Sequence, residues 1–304
     1  MRAQTTLGVH WGGKALRVWA ISGDGEVVDG VEAPIPLATG KSEGYEKAFL
    51  RGTVAIREKH PGVPIIITGM AGAKSAWMET PYAPCPLRPS DLLSLALPFE
   101  IAGHPARMLP GATYKDARGN SDVMRSEEVQ LIGALRLLKV SSAAISIPGR
   151  HCKIAVIKDG VFAEFRSYIT GELFELLSEH SLVGALSQPG EFDRDAFTAG
   201  VRHGAEVPLA TAVFASRANT LRGDLAPSQV RSFLSGTLIG AETAQLKGRS
   251  SEPVFLMASG VLADRYAVAL ETLGIAHSPL DARAAMAAGL TALVRADVEV
   301  TAAE

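Results

Sequence analysis

Two adjacent carboxylates, Glu127 and Glu128, open the apolar stretch 129–138, and a glycine turn follows at Pro148-Gly149-Arg150-His151, with Lys153 just beyond it. A second glycine turn lies near the start of the chain, His10-Trp11-Gly12-Gly13-Lys14, with Arg17 on its far side. Glycine has no Cβ, so backbone N–H groups can close on a ligand there, and consecutive N–H groups form a nest for an anion. Two such turns can hold a polyphosphate between them. A carboxylate beside a phosphate site can take a proton from a hydroxyl or hold a metal-bound water. The same pair at a helix start can also do no more than complement the helix dipole. His151 has the same two readings, a chemical role or a structural hydrogen bond.

The elements that must position these residues can be read from pattern. From Thr5 the chain reads as strand 5–9, turn 10–14, strand 15–22, a turn at Gly23-Asp24-Gly25 and strand 26–30, the signals of antiparallel hairpins. A helix is expected over 44–59 and a buried strand over 63–68. The prolines of PYAPCPLRPS predict an irregular loop. After the polar run KDARGNSD, a helix is expected over 122–139, with Val123, Ile132, Leu135 and Leu138 mostly on one face. Over 143–169 the opening pattern returns: strand, glycine turn, strand, an Asp159-Gly160 turn, strand. Two copies of one meander predict a duplicated α/β unit with a cleft between the halves. The rest reads as helices over 171–180, 193–205, 209–221, 227–247, 262–273 and 281–295, with a strand at 253–259.

Composition narrows the function class. At 304 residues, 47% of them hydrophobic, the chain can bury a large core in two domains. Its 30 basic and 32 acidic side chains nearly cancel, and no like-charge run stands out, which argues against nucleic acid or a membrane surface and for small polar ligands. The two cysteines, Cys85 and Cys152, lack metal-ligand spacing and suit a reducing cytosol. The start of the chain carries no long apolar stretch, so a cytoplasmic protein is expected.

The stretches HWGGKALRVW, ITGMAGAKSAWMETPYAPCP, DVMRSEEVQLIGAL, IPGRHCKIAV, FRSYITGELFELLSEHSLVGA, DAFTAGV, FLSGTLIGAE and AAGL, in this order, resemble the 2-dehydro-3-deoxygalactonokinase family nearly end to end. The resemblance implies an α/β, two-domain actin-like ATPase (ribonuclease H-like) fold with duplicated β-meander units and an interdomain cleft. It implies domains at 1–140 and 141–304, with the last helix a candidate to pack back on the first. It also implies ATP- and Mg²⁺-dependent phosphorylation of 2-dehydro-3-deoxy-D-galactonate on its terminal hydroxyl, in galactonate degradation. A homodimer is an open option.

Residue by residue, the first phosphate turn matches at Gly12 and Arg17, and the second at Gly149, His151 and Lys153. Met124, Arg125, Glu127 and Glu128 match the motif between them. Arg125, Gly171, Glu172, His180 and Ser181 match positions on the substrate side. Ser235, Gly236, Gly240, Glu242, Ser259 and Gly260 sit where the family is expected to hold adenosine. Tight helix packing and an ordinary strand-to-helix turn are the competing reading of that last set.

Departures cluster in the turns. The family usually reads Asp-Trp-Gly-Thr or Ser where this chain has His10, Gly13 and Lys14, and Pro-Gly-Thr-His where it has Arg150. The usual glycine before the acidic pair is Ser126, and the threonine after it is Val129. Imidazole is a poor substitute for a carboxylate on Mg²⁺, so the metal site is in doubt. Lys14 and Arg150 could take over part of the cation's charge. A kinase with Glu127 or Glu128 as base, His151 as a further catalytic candidate, and phosphates held by His10, Gly12, Gly13, Lys14, Arg17, Gly149, Arg150 and Lys153 is the leading expectation. A catalytically inactive homologue that binds sugar acid or nucleotide is the alternative, and a phosphatase or nucleotide hydrolase a third.

Overall fold

The computed structural model describes residues 5–248 and 254–303, with side chains described through 298. The backbone divides into two compact units: one holds the chain up to 140 with 160–164 and 282 onward, the other holds 141–159 and 165–281.

The first unit begins with β1 (Thr6–Trp11), β2 (Leu16–Ile21) and β3 (Val27–Ala33), an antiparallel meander. After helices α1 (Leu37–Glu43) and α2 (Tyr45–Lys59), β4 (Ile65–Gly69) pairs parallel to β1. All five residues of β4 are buried, as expected for a central strand covered on both faces. Strand β5 (Tyr82–Pro84) and helix α3 (Pro89–Ser94) follow, then β6 (Leu97–Ile101), β7 (His104–Met108), β8 (Gly111–Lys115), β9 (Ser121–Met124) and α4 (Glu127–Leu138). The main sheet has the order β3-β2-β1-β4-β7-β6, and a small sheet has the order β5-β8-β9. Trp11 is fully buried, donates Nε1–H to Ile35 O at 3.0 Å, and meets Tyr45, Phe49 and Trp77 ring to ring. The last helix, α10 (Ala282–Ala303), lies against α4 at Gly133 and Gly289.

A second large sheet is built from β10 (Ala143–Ile147), β11 (Cys152–Lys158), β12 (Val161–Tyr168), β13 (Val254–Leu256) and β14 (His277–Pro279), in the order β12-β11-β10-β13-β14. Here β10 and β11 are antiparallel, while β13 runs parallel to β10. Helices α5 (Thr170–His180), α6 (Arg194–Glu206), α7 (Leu209–Arg222), α8 (Val230–Thr243) and α9 (Gly260–Thr272) complete the second unit. The chain is therefore α/β with mixed sheets. Among the described residues no helix is long and apolar enough to cross a membrane.

Several sequence expectations need correction. His10 and Trp11 belong to β1, paired with Arg17 and Leu16, so the first turn starts only at Gly12, whose N–H donates to Ala15 O at 3.1 Å. The helix expected from 122 begins at Glu127: Asp122, Val123 and Met124 pair with β8, and Ser126 at φ +97° takes the backbone out of helical space. PYAPCPLRPS is not wholly irregular. Tyr82–Pro84 is an edge strand, where a missing N–H is tolerated, and Pro89 takes the first position of α3, where none is needed. The hairpin β6–β7 carries Pro98 and Pro105 and gave no strand signal. The helix expected over 227–247 ends in a 3-10 turn at either side of α8, at Pro227–Gln229 and Ala244–Leu246. Both cysteines are free thiols, and burial pushes them up, Cys85 to about 12 and Cys152 to about 11.

Candidate functional site

In the first unit the C-terminal ends of parallel strands β1 and β4 set His10 beside Thr68. Ligands of open α/β sheets bind outside such strand ends. The start of α4 reaches the same place. Ser126 Oγ and His10 Nε2 are 2.8 Å apart, Ser126 N–H donates to Glu128 Oε1 at 2.9 Å, and Thr68 Oγ1–H donates to the same oxygen at 3.4 Å. One continuous chain of contacts thus joins His10, Ser126, Glu128 and Thr68.

The electrostatics follow from burial. Glu128 is fully buried, and loss of water together with the neighbouring Glu127 charge pushes its carboxyl up to about 8. At neutral pH it mostly keeps its proton. Burial and the Arg17 charge hold His10 down to about 4, so its ring is neutral. Arg17 itself pairs with Glu32 at 2.9 Å, away from the glycine turn. Glu127 is only half-buried, and Gly13 and Lys14 are exposed. Arg125 is 8% exposed, donates its Nη2–H to Thr80 O at 3.0 Å and lies 4.6 Å over the Tyr82 ring, so its fork is spent largely on Thr80 and Tyr82.

In the second unit the turn after β10 packs on the N-terminus of α5. Glu172 N–H donates to Arg150 O at 3.1 Å, His151 Nε2 bonds Glu172 Oε2, and Arg150 reaches Glu175 at 3.3 Å. The His151 bond, and then Arg150, hold the Glu172 carboxyl below the usual carboxylate range. Gly171 makes this approach possible, since a Cβ there would lie 2.4 Å from Gly149 O. Gly149, Arg150, His151, Gly171 and Glu172 therefore form one cluster, while His180 is exposed at the far end of α5.

Behind the turn, Lys153 and Glu242 are buried, and Glu242 Oε2 accepts from Thr170 Oγ1 and from Tyr266 OH at 2.9 Å. Glu242 borders a cavity of about 550 Å³ walled by β12, α5, α6, α7 and α8, and its Oε1 has no hydrogen-bond partner among the described residues. Ser235, Gly236 and Gly240 do not line it. A Cβ at Gly236 would lie 2.0 Å from Phe197 O and one at Gly240 2.2 Å from Val201 O, so these glycines hold α8 against α6. Ser259 and Gly260 form the exposed strand-to-helix turn before α9.

Residues 10–293 match the family model described as 2-keto-3-deoxy-galactonokinase. The chain belongs to that family. It is 33% identical to the 2-dehydro-3-deoxygalactonokinase of Escherichia coli (strain K12), over 95% of this chain and 97% of that protein. It is 36% identical to a Rhizobium meliloti (strain 1021) protein carrying the same activity in its name, over 95% and 96%. A crystal structure of a Sinorhizobium meliloti protein named for that activity shares the fold with a TM-score of 0.82 at 33% identity, covering 96% of each chain.

Against the family's usual residues, the structure joins two departures that looked independent. Ser126, at a backbone angle that favours glycine, touches His10, which stands where the resemblance leads one to expect an aspartate. Sequence reading noted both but missed Ser126 as a site residue, because nothing local links positions so far apart. The donor set also bears on Mg²⁺, a hard cation that takes oxygen ligands. Position 10 offers an imidazole engaged by Ser126, and Glu128 holds a proton and is closed off from water. Among the described residues no group of three or more His, Cys, Asp or Glu side chains could hold a metal ion. The residues at this turn do not fit a resident Mg²⁺.

Proposed function

We propose that this chain transfers the γ-phosphoryl group of ATP to the terminal hydroxyl of 2-dehydro-3-deoxy-D-galactonate, as a kinase of galactonate degradation, with Glu127 as the general base. Family membership supports the reaction class and substrate. The observation that carries the residue assignment is the burial of Glu128, which keeps its proton and spends Oε1 on Ser126 N–H and Thr68. A base must be ionised and within reach of the hydroxyl proton. Half-buried Glu127 is the more accessible of the two carboxyls, while Glu128 fixes the start of α4.

In the reaction, Glu127 takes the substrate hydroxyl's proton as that oxygen bonds the γ-phosphorus, and ADP departs with the electrons of the broken bridge bond. Lys14 and Arg150 supply positive charge to the phosphates, and backbone N–H groups of the two glycine turns bind their oxygens. On this reading the chain is a duplicated actin-like ATPase, with the last helix, from 282 onward, returned to the first unit. The recurrence in both sheets of an antiparallel pair followed by a parallel strand supports the duplication.

Purified protein incubated with ATP, Mg²⁺ and 2-dehydro-3-deoxygalactonate tests the reading. The phosphorylated sugar acid is expected from the natural chain and a loss of about a hundredfold or more from Glu127→Gln. Binding of both ligands without product would establish a non-catalytic homologue instead, and phosphate release from ATP without sugar acid would establish a hydrolase.

A further inference from the structure

Two guanidinium groups share one small cavity in the second unit, apart from every residue given a role above. Arg231 stands in the first turn of α8 and Arg265 on α9, and both line a cavity of about 120 Å³. Each is backed by an aromatic ring: Arg231 lies 5.2 Å from the Phe174 centroid and Arg265 5.2 Å from that of Phe192. Ring stacking covers the face of a guanidinium and leaves its in-plane N–H edge available for a planar or tetrahedral oxyanion.

The carboxylates at the cavity, Glu179 and Glu191, are both exposed. Arg265 Nε is buried and donates to no described residue, and loss of water together with the Arg231 charge lowers its basicity. Glu179 reaches Arg231 at 3.7 Å, but both side chains are about half exposed, and such a pair is worth little. Exposed Glu191 is the acidic residue among the cavity's lining. Arg231 also sits at the positive end of the α8 dipole, where a cation is disfavoured and an anion favoured. Two mutually repelling cations, one partly desolvated, are stabilised together by a bound anion.

We infer that Arg231 and Arg265 form a binding site for one oxyanion, a phosphoryl or carboxylate group, gripped between two guanidinium edges. The cavity is small, about 120 Å³, which suits a free ion or a terminal group. The inference goes beyond the phosphoryl-transfer reading and does not depend on it.

The test uses the full chain in two ways. Crystals soaked in selenate should show anomalous density between the two guanidinium groups. In solution, the thermal midpoint is titrated with inorganic phosphate and, separately, with acetate, chloride holding the ionic strength constant. Saturable stabilisation is expected with at least one anion, and its apparent affinity should fall about tenfold in Arg231→Gln and Arg265→Gln. Phosphate alone would identify a phosphoryl source, acetate alone a carboxylate. Arg265→Lys keeps the charge and loses the fork, so it should fall between wild type and Arg265→Gln; with exposed Arg231→Gln it carries the test should Arg265→Gln fail to fold. No density between the arginines and identical titrations in wild type and variants would overturn the site, and any phosphate effect that survived them would belong to the glycine turns.

Discussion

Ser126 Oγ lies 2.8 Å from His10 Nε2, a contact between residues 116 positions apart that couples the end of β1 to the start of α4. Ser126 holds φ +97°, a value that costs a residue with a Cβ on the order of 1–3 kcal/mol. The bond to His10 is what a glycine there could not make.

The coupling can be measured by a double-mutant cycle. His10→Ala and Ser126→Ala, singly and together, should show an interaction energy of about 1 kcal/mol in urea unfolding. Strict additivity would mean that the contact contributes nothing.

Glu128 should make stability fall with rising pH. Its carboxyl is raised from 4.5 to about 8 in the fold, so the folded state binds more protons than the unfolded one between those values. This contribution is fully present below 4.5 and is lost as pH rises towards 8. His10 acts oppositely: its value falls from 6.5 to about 4, so its contribution is present above 6.5 and lost as pH falls towards 4. The two offset one another between 4.5 and 6.5. Above 6.5 the His10 contribution is constant, and Glu128 adds a slope of up to about 1.4 kcal/mol per pH unit to that of buried Glu242, whose carboxyl burial also raises. Glu128→Gln should make the slope shallower, and an unchanged slope in that variant would contradict the assignment.

Helix packing in the first unit should not tolerate one methyl group. A Cβ at Gly133 would lie 1.8 Å from Ala285 O on α10. Gly133→Ala should destabilise by about 2–3 kcal/mol despite the better helix propensity of alanine. Gly13→Ala, where a Cβ meets nothing within 4 Å, is the control and should leave the unfolding midpoint in place.

Gly171→Ala tests the second turn. Its Cβ would strike Gly149 O and the Arg150 backbone, displacing the turn from α5. On the proposed reading the KM for ATP should rise by about tenfold or more, because small misplacements of binding groups are costly. An unchanged KM would remove that turn from the phosphate site.

The antiparallel pairs β1–β2 and β10–β11 were legible in the chain because such pairs announce themselves locally, through alternation and glycine turns. The hairpin β6–β7 was not, since Pro98 and Pro105 argue against strands and only pairing beside β4 places them there. The start of α4 was misplaced for a similar reason. Apolar periodicity runs back through Val123, while pairing with β8 holds that residue in a strand.

The sequence by itself determined the family, the two glycine turns and the acidic pair, because motif order and turn chemistry are properties of neighbouring residues. Only the tertiary structure decided what each member of the set is engaged in. It closed Glu128 off from water, spent Arg17 on Glu32 and much of Arg125 on Thr80, gave Gly236 and Gly240 to helix packing, and brought Ser126 to His10. Burial and contact between distant segments set ionisation and availability, and no local pattern in a chain encodes either.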